Sequence, residues 1–106
     1  MTDAREMTTQ LRDYRVRRDA WERFLDAWRS QVLPLRAAHC FEIEAWTVPS
    51  ESRLVWFLSH PGSADDFEAA DRAYYDSDER VAFDPEPREF LESAEHFFVE
   101  RVSLPR

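Results

Sequence analysis

Apolar and polar positions change rhythm six times along the chain, and each change predicts one element. Residues 11–16, Leu-Arg-Asp-Tyr-Arg-Val, alternate with period two: Arg12, Tyr14 and Val16 on one face, Leu11, Asp13 and Arg15 on the other. The next run changes to helical spacing, with Trp21, Phe24, Leu25, Trp28, Val32 and Leu35 on one stripe. Asp19 is its expected N-cap, with Glu22 three residues on as in a capping box. Pro34 lacks a backbone donor, so a kink or break is expected near Val32.

His39-Cys40 turns the chain into a second strand, residues 41–48, where Phe41, Ile43 and Ala45 alternate with Glu42, Glu44 and Trp46. Residues 49–52 are a hairpin connection. The third strand, 53–59, is apolar on both faces through Leu54, Val55, Trp56, Phe57 and Leu58, so it belongs at the centre of a sheet. After His60-Pro61-Gly62, Ser63 caps a second helix to about residue 75, with Asp65 and Asp66 in its first turn and Phe67, Ala70, Ala73 and Tyr74 on its apolar face. The acidic stretch 76–87 reads as an irregular lid or short turn anchored by Val81 and Phe83. A brief helix at 87–93 and a last strand at 95–104, burying Phe97, Phe98, Val99 and Val102, complete the order. Residues 1–9 read as a flexible lead and 10–106 as one domain.

Strand, helix, strand, strand, helix, strand is the order of a ferredoxin-like α+β fold: an antiparallel four-stranded sheet with both helices on one face. The other face then lacks a cover, although Trp46 and half of the third strand project there. A second sheet stacked on it by two-fold symmetry is the physical remedy, so a homodimer is expected.

Composition narrows the partners. A formal charge of -8 argues against nucleic acid and against an anionic membrane surface. A single cysteine makes no internal disulfide. No long apolar run is present, and the expected setting is the cytoplasm. All positive side chains are Arg, and neither Lys nor Asn occurs, a usage that suggests a GC-rich bacterial source.

Chemistry candidates are few. His39, His60 and His96 make no metal-ligand spacing with one another or with Cys40, so no metal is expected. His60, at the mouth of the helix–sheet cleft, is either a turn histidine or a general base. Arg12 either snorkels to water or holds an anion in the cleft, with Asp65 and Asp66 as the acids nearest to neutralise it. Tyr14 and Tyr74 are candidate hydroxyls for a ligand.

Leu11-Arg12-Asp13-Tyr14, Val32-Leu33-Pro34-Leu35-Arg36 with His39, and Arg72-Ala73-Tyr74-Tyr75 with Asp78 resemble the corresponding stretches of NIPSNAP-like proteins, from Gln10 onward. The resemblance implies a dimeric α+β barrel, in a superfamily that includes cofactor-free monooxygenases of aromatic polyketides, haem-degrading enzymes and proteins with no known reaction. The second helix carries no histidine where haem-degrading relatives place their iron ligand, so no cofactor is expected. The family often has Gly where this chain has Cys40; a turn needing positive φ would be strained there, and a different local turn is expected.

Two readings follow. In one, the cleft binds a small, partly aromatic or carboxylate molecule, with His60 and Tyr14 as catalytic groups and Arg12, Tyr74, Trp28, Trp56 and Phe83 lining it. In the other, the protein's own aromatic side chains fill the cleft and the dimer is a binding or accessory protein without a reaction.

Overall fold

The structure is a computed structural model and describes residues 6–105. Four strands, β1 (Met7–Val16), β2 (Glu42–Val48), β3 (Arg53–Pro61) and β4 (Leu91–Val99), form one sheet in the order β2-β3-β1-β4. Every pairing is antiparallel. The helices are α1 (Trp21–Ala27), α2 (Leu33–Ala38), α3 (Ala64–Asp76) and the short α4 (Asp78–Val81). This is the ferredoxin-like α+β arrangement that the order of patterns predicts.

The alternation of β1 and β3 assigns the sheet's two faces. Gln10, Arg12 and Tyr14 stand opposite Leu58, Trp56 and Leu54, on the buried side. Phe24, Leu25, Trp28 and Val32 from the first helical stretch and Phe67 and Tyr74 from α3 pack onto that side. Each such apolar side chain contributes roughly 1.5–3 kcal/mol by leaving water. The other side carries Leu11, Trp46, Phe57, Phe97 and Val99. Trp46 is 57% exposed there, and Phe97 54%.

Several expected boundaries shift. Residues 1–5 lie outside the described part, but Met7, Thr8 and Thr9 are strand, paired with Pro61, His60 and Ser59. The final strand begins at Leu91, after a single 3-10 turn at Pro87–Phe90, and ends at Val99. Val102 and Leu104 therefore fall outside the sheet and are exposed, and Phe97 and Phe98 are less buried than the pattern implied, because β4 is an edge strand in a single chain. The stretch expected to be a lid contains α4, capped by the Ser77 side chain; Val81 points outward, and Arg80 is the buried residue.

The first helix opens without the expected capping box. A 3-10 turn at Arg18–Ala20 precedes α1, neither start has a side-chain cap, and Asp19 lies 3.6 Å from Arg17 instead. Ser63 caps α3 as expected and forms a full capping box with Asp66.

The expected break before Pro34 is a π-helical turn. Trp28–Val32 are wound so that the Leu33 N–H donates to the Trp28 carbonyl, five residues back. The extra residue in this turn advances the buried stripe by one position. Arg36 is accordingly fully buried, and Leu35 only half-buried.

α2 ends in a Schellman motif: the Phe41 N–H donates to the Arg36 carbonyl at 3.0 Å, and the Cys40 N–H to the Ala37 carbonyl at 3.0 Å. The motif needs a left-handed residue, and Cys40 supplies it at φ 70°. The turn is therefore kept, with a side chain in place of the hydrogen that a glycine would offer. Cys40→Gly is expected to raise stability by about 1 kcal/mol, because the left-handed region disfavours an L residue by that order. A denaturant midpoint unchanged or lowered by the substitution would contradict this.

Candidate functional site

The helix–sheet interface is built on arginine. Arg12, in the middle of β1, is 5% exposed, and Arg36, at the end of the first helical stretch, is 0% exposed. Both converge on Asp71 of α3. Arg36 Nη1 donates to Asp71 Oδ1 at 2.7 Å, and Arg12 Nη2 donates to the two carboxylate oxygens at 3.2 and 3.3 Å. Arg12 also donates from Nε to Gln10 Oε1 at 2.7 Å and from Nη1 to the Tyr75 hydroxyl at 3.1 Å. Burial opposes the charge on Arg12, but Tyr14, Tyr75 and Asp71 outweigh it and hold its pKa above the ordinary guanidinium value. Arg12 is thus neither snorkelling nor free. Its acid is Asp71, because Asp66 is engaged by the Ser63 backbone and hydroxyl and Asp65 is exposed.

A third buried arginine lies further out. Arg80 donates from Nη1 and Nη2 to Glu86 at 2.7 and 3.0 Å. Burial alone would raise the Glu86 pKa; the bonds from Arg80 and from the Arg88 backbone reverse this and hold it below the usual carboxylate range. Aromatic rings take up the faces of these cations. Arg36 stacks 3.7 Å from the Tyr74 ring centre, Arg80 lies 4.7 Å from Phe83, and Arg88 lies 5.7 Å from Tyr75.

Between these groups remains a cavity of only about 20 Å³. Trp28, Trp56, Tyr14 and Tyr74 line it together with Arg36 and Arg80. Trp28 and Trp56 meet edge to face at 5.3 Å, and Tyr14 contacts Trp56 in the same way at 5.6 Å. Four of the expected cleft residues are therefore brought together. Arg12 stands beside them, with Nη1 3.4 Å from the Tyr14 hydroxyl, while Phe83 covers Arg80.

His60 is not brought to them. It lies six residues along β3 from Leu54, the partner of Tyr14, a separation of roughly 20 Å along a strand. Its Nδ1 lies 2.8 Å from the Pro61 carbonyl, an acceptor only, so Nδ1 carries the proton. Its ring leans on Phe41 at 5.0 Å. His39 is the C-cap of α2, and His96 is exposed within β4.

Burial pushes the Tyr74 pKa up to about 12 from 10.0. Between those values the unfolded chain holds fewer protons than the native one, so stability falls as pH rises. It is fully present below pH 10 and is expected to decline by about 1.4 kcal/mol per pH unit up to pH 12. Urea midpoints that stay flat between pH 9.5 and 11.5 would rule this out.

On the opposite sheet face lies a broad groove of about 780 Å³, with Glu42, Glu44, Trp46, Phe57, Ser59 and Val99 among its walls. Trp46 and Phe57 meet there edge to face at 6.3 Å. Among the described residues, no group of three or more His, Cys, Asp or Glu is placed to hold a metal, and no helix is long and apolar enough to cross a membrane.

No protein-family model matches the sequence, and no curated protein matches it. Solved structures do match. An uncharacterised NIPSNAP domain protein from Burkholderia xenovorans superposes with TM-score 0.79 at 18% identity, over 93% of this chain and 98% of that one. A NIPSNAP family protein from Agrobacterium tumefaciens gives 0.77 at 18% identity, over 92% and 94%. A putative antibiotic biosynthesis monooxygenase from Nitrosomonas europaea gives 0.70 at 10% identity, over 96% of each chain. The chain is NIPSNAP-like in fold, and it shares that fold with the monooxygenase type.

Proposed function

We propose that this NIPSNAP-like chain acts as a homodimer joined through its open sheet face, and that the dimer is a binding or accessory protein whose helix–sheet cleft its own side chains fill. The observation that carries this reading is the contrast between the two sheet faces. The helix side keeps about 20 Å³, far below the several hundred that an aromatic molecule needs. The other side leaves Trp46 and Phe97 more than half exposed beside Phe57 and Leu11, an apolar area that a monomer rarely keeps. Stacking a second sheet there would bury that area without displacing the packed helices.

The alternative, a small aromatic or carboxylate ligand in the cleft with His60 and Tyr14 as catalytic groups, requires the core to open and those two side chains to approach each other. Two measurements distinguish the readings. Sedimentation at micromolar concentration is expected to give a dimer, and titration with aromatic carboxylates is expected to leave the fluorescence of the buried Trp28 and Trp56 unchanged. A monomer would overturn the interface. A saturable fluorescence change that Trp28→Phe abolishes would overturn the filled cleft.

A further inference from the structure

The small cavity of the helix–sheet layer has an unusual lining. Five buried N–H groups have no hydrogen-bond partner among the described residues: Trp28 Nε1, Trp56 Nε1, Arg36 Nε, Arg36 Nη2 and Arg80 Nε. All four residues that carry them line this one cavity. Every one of these groups is a donor. Buried donors left without acceptors are rare, and each calls for a physical explanation.

Internal partners account for few of them. Trp28 and Trp56 are perpendicular at 90°, so a ring face can accept at most one of the two indole N–H groups. Arg36 lies over Tyr74, which occupies the face of the guanidinium; Nη1 bonds to Asp71 in its plane, and Nε and Nη2 are left unpaired. The hydroxyl oxygens of Tyr14 and Tyr75 already accept from Arg12.

The charge around the cavity points the same way. Arg12, Arg36 and Arg80 are buried, and against these three cations stand, among the described residues, the carboxylates of Asp71 and Glu86; Arg88, itself exposed, covers Tyr75 from outside. An excess of positive charge is thus enclosed at low dielectric, within a chain whose formal charge is -8. A water molecule would meet the donors with its oxygen but, being neutral, would leave the excess positive charge without a counter-charge. A monoatomic anion accepts from several donors at once and offsets the charge. A cavity of about 20 Å³ holds one atom of that size and excludes a carboxylate-bearing metabolite.

We propose that this cavity is a buried site for a single halide-sized monovalent anion, held by the indole N–H groups of Trp28 and Trp56 and by Arg36 and Arg80. The site belongs to the folded chain, so the anion binds the native state only and stabilises it by mass action.

The probe is bromide. Crystals grown in sodium bromide and measured at the bromine edge are expected to show an anomalous peak in this cavity. In solution, the melting temperature is expected to rise saturably with chloride or bromide when ionic strength is held constant with gluconate, which is too large to enter. Trp28→Phe keeps the ring but removes one donor, and is expected to weaken the apparent Kd by about tenfold or more while the folded circular-dichroism spectrum is kept. An anomalous map without a peak in the cavity at saturating bromide would overturn the site, including the case where surface halide alone shifts the melt. A halide response equal to that of gluconate, or a Trp28→Phe protein that folds and binds as tightly as the parent, would overturn it as well.

Discussion

Asp71→Ala is expected to destabilise the protein by about 4 kcal/mol, a large share of the total stability of a domain of this size. Among the described residues, this carboxylate is the one acid bonded to both Arg12 and Arg36. Those guanidinium groups are 6% and 0% exposed, so neither can turn to water when Asp71 is lost. The loss is chiefly the energy of two buried charges left uncompensated, not the worth of two bonds. Asp71→Asn keeps an acceptor oxygen but not the charge, and should fall between Ala and the parent. Arg36→Met combined with Asp71→Ala should recover part of the loss, because one stranded charge is removed with its partner. Asp13 and Arg53 make a bidentate pair of similar geometry, at 2.7 and 2.9 Å, on the other sheet face. That pair is solvated, and its disruption should matter much less. Urea denaturation of these variants checks the order; an Asp71→Ala protein within 1 kcal/mol of the parent would show that the arginines find water or another acid.

The same cluster shows what the sequence makes legible. The strands and helices follow from periods of two and of about 3.6, and those periods hold over nearly every element. They fail at one place with consequences, the π-helical turn at Trp28–Val32. A stripe read at constant pitch runs through Leu35; one extra residue in the turn carries it to Arg36, and with it a cation into the core. Asp71 is hidden for another reason. A lone acid on a helix reads as solvated, yet Phe67, Asp71, Tyr74 and Tyr75 fall at i, i+4, i+7 and i+8, on the stripe that faces the sheet. That spacing was an available signal. What it lacked was the partner, because Arg12 lies 59 residues away and only the packing of α3 across the strands brings them together. Arg80 was obscured by its acidic surroundings, which suggest an irregular lid, although Ser77 before it is a good helix cap. The cleft itself, Tyr14 with Trp28, Trp56 and Tyr74, was legible because each is an apolar-face residue of its own element. Whether the cleft was open depended on arginine side chains that no periodicity places.

Trp46→Asp is expected to weaken the proposed homodimer by about four orders of magnitude in Kd, with little effect on the fold of the protomer. The ring projects from β2 onto the open sheet face, opposite Val55 in register and in edge contact with Phe57. It is 57% exposed, so roughly half of an indole's surface, on the order of 100–140 Å², is available for a second sheet to cover. At about 25 cal/mol per Å² this is roughly 3 kcal/mol per copy. A two-fold interface presents the same residue twice, so one substitution removes both contributions, near 6 kcal/mol for the pair. The new carboxylates would stand beside Glu42 and Glu44, already on this face, and like charge adds repulsion. The protomer has little to lose, since a ring more than half exposed contributes little to its own core. Trp56→Ala gives the opposite pattern: that ring is 1% exposed, and its loss should destabilise the protomer by about 3–5 kcal/mol. Sedimentation equilibrium across micromolar concentrations, read beside a thermal melt at one low concentration, separates the two effects. A Trp46→Asp protein that stays dimeric would place the interface away from this sheet face.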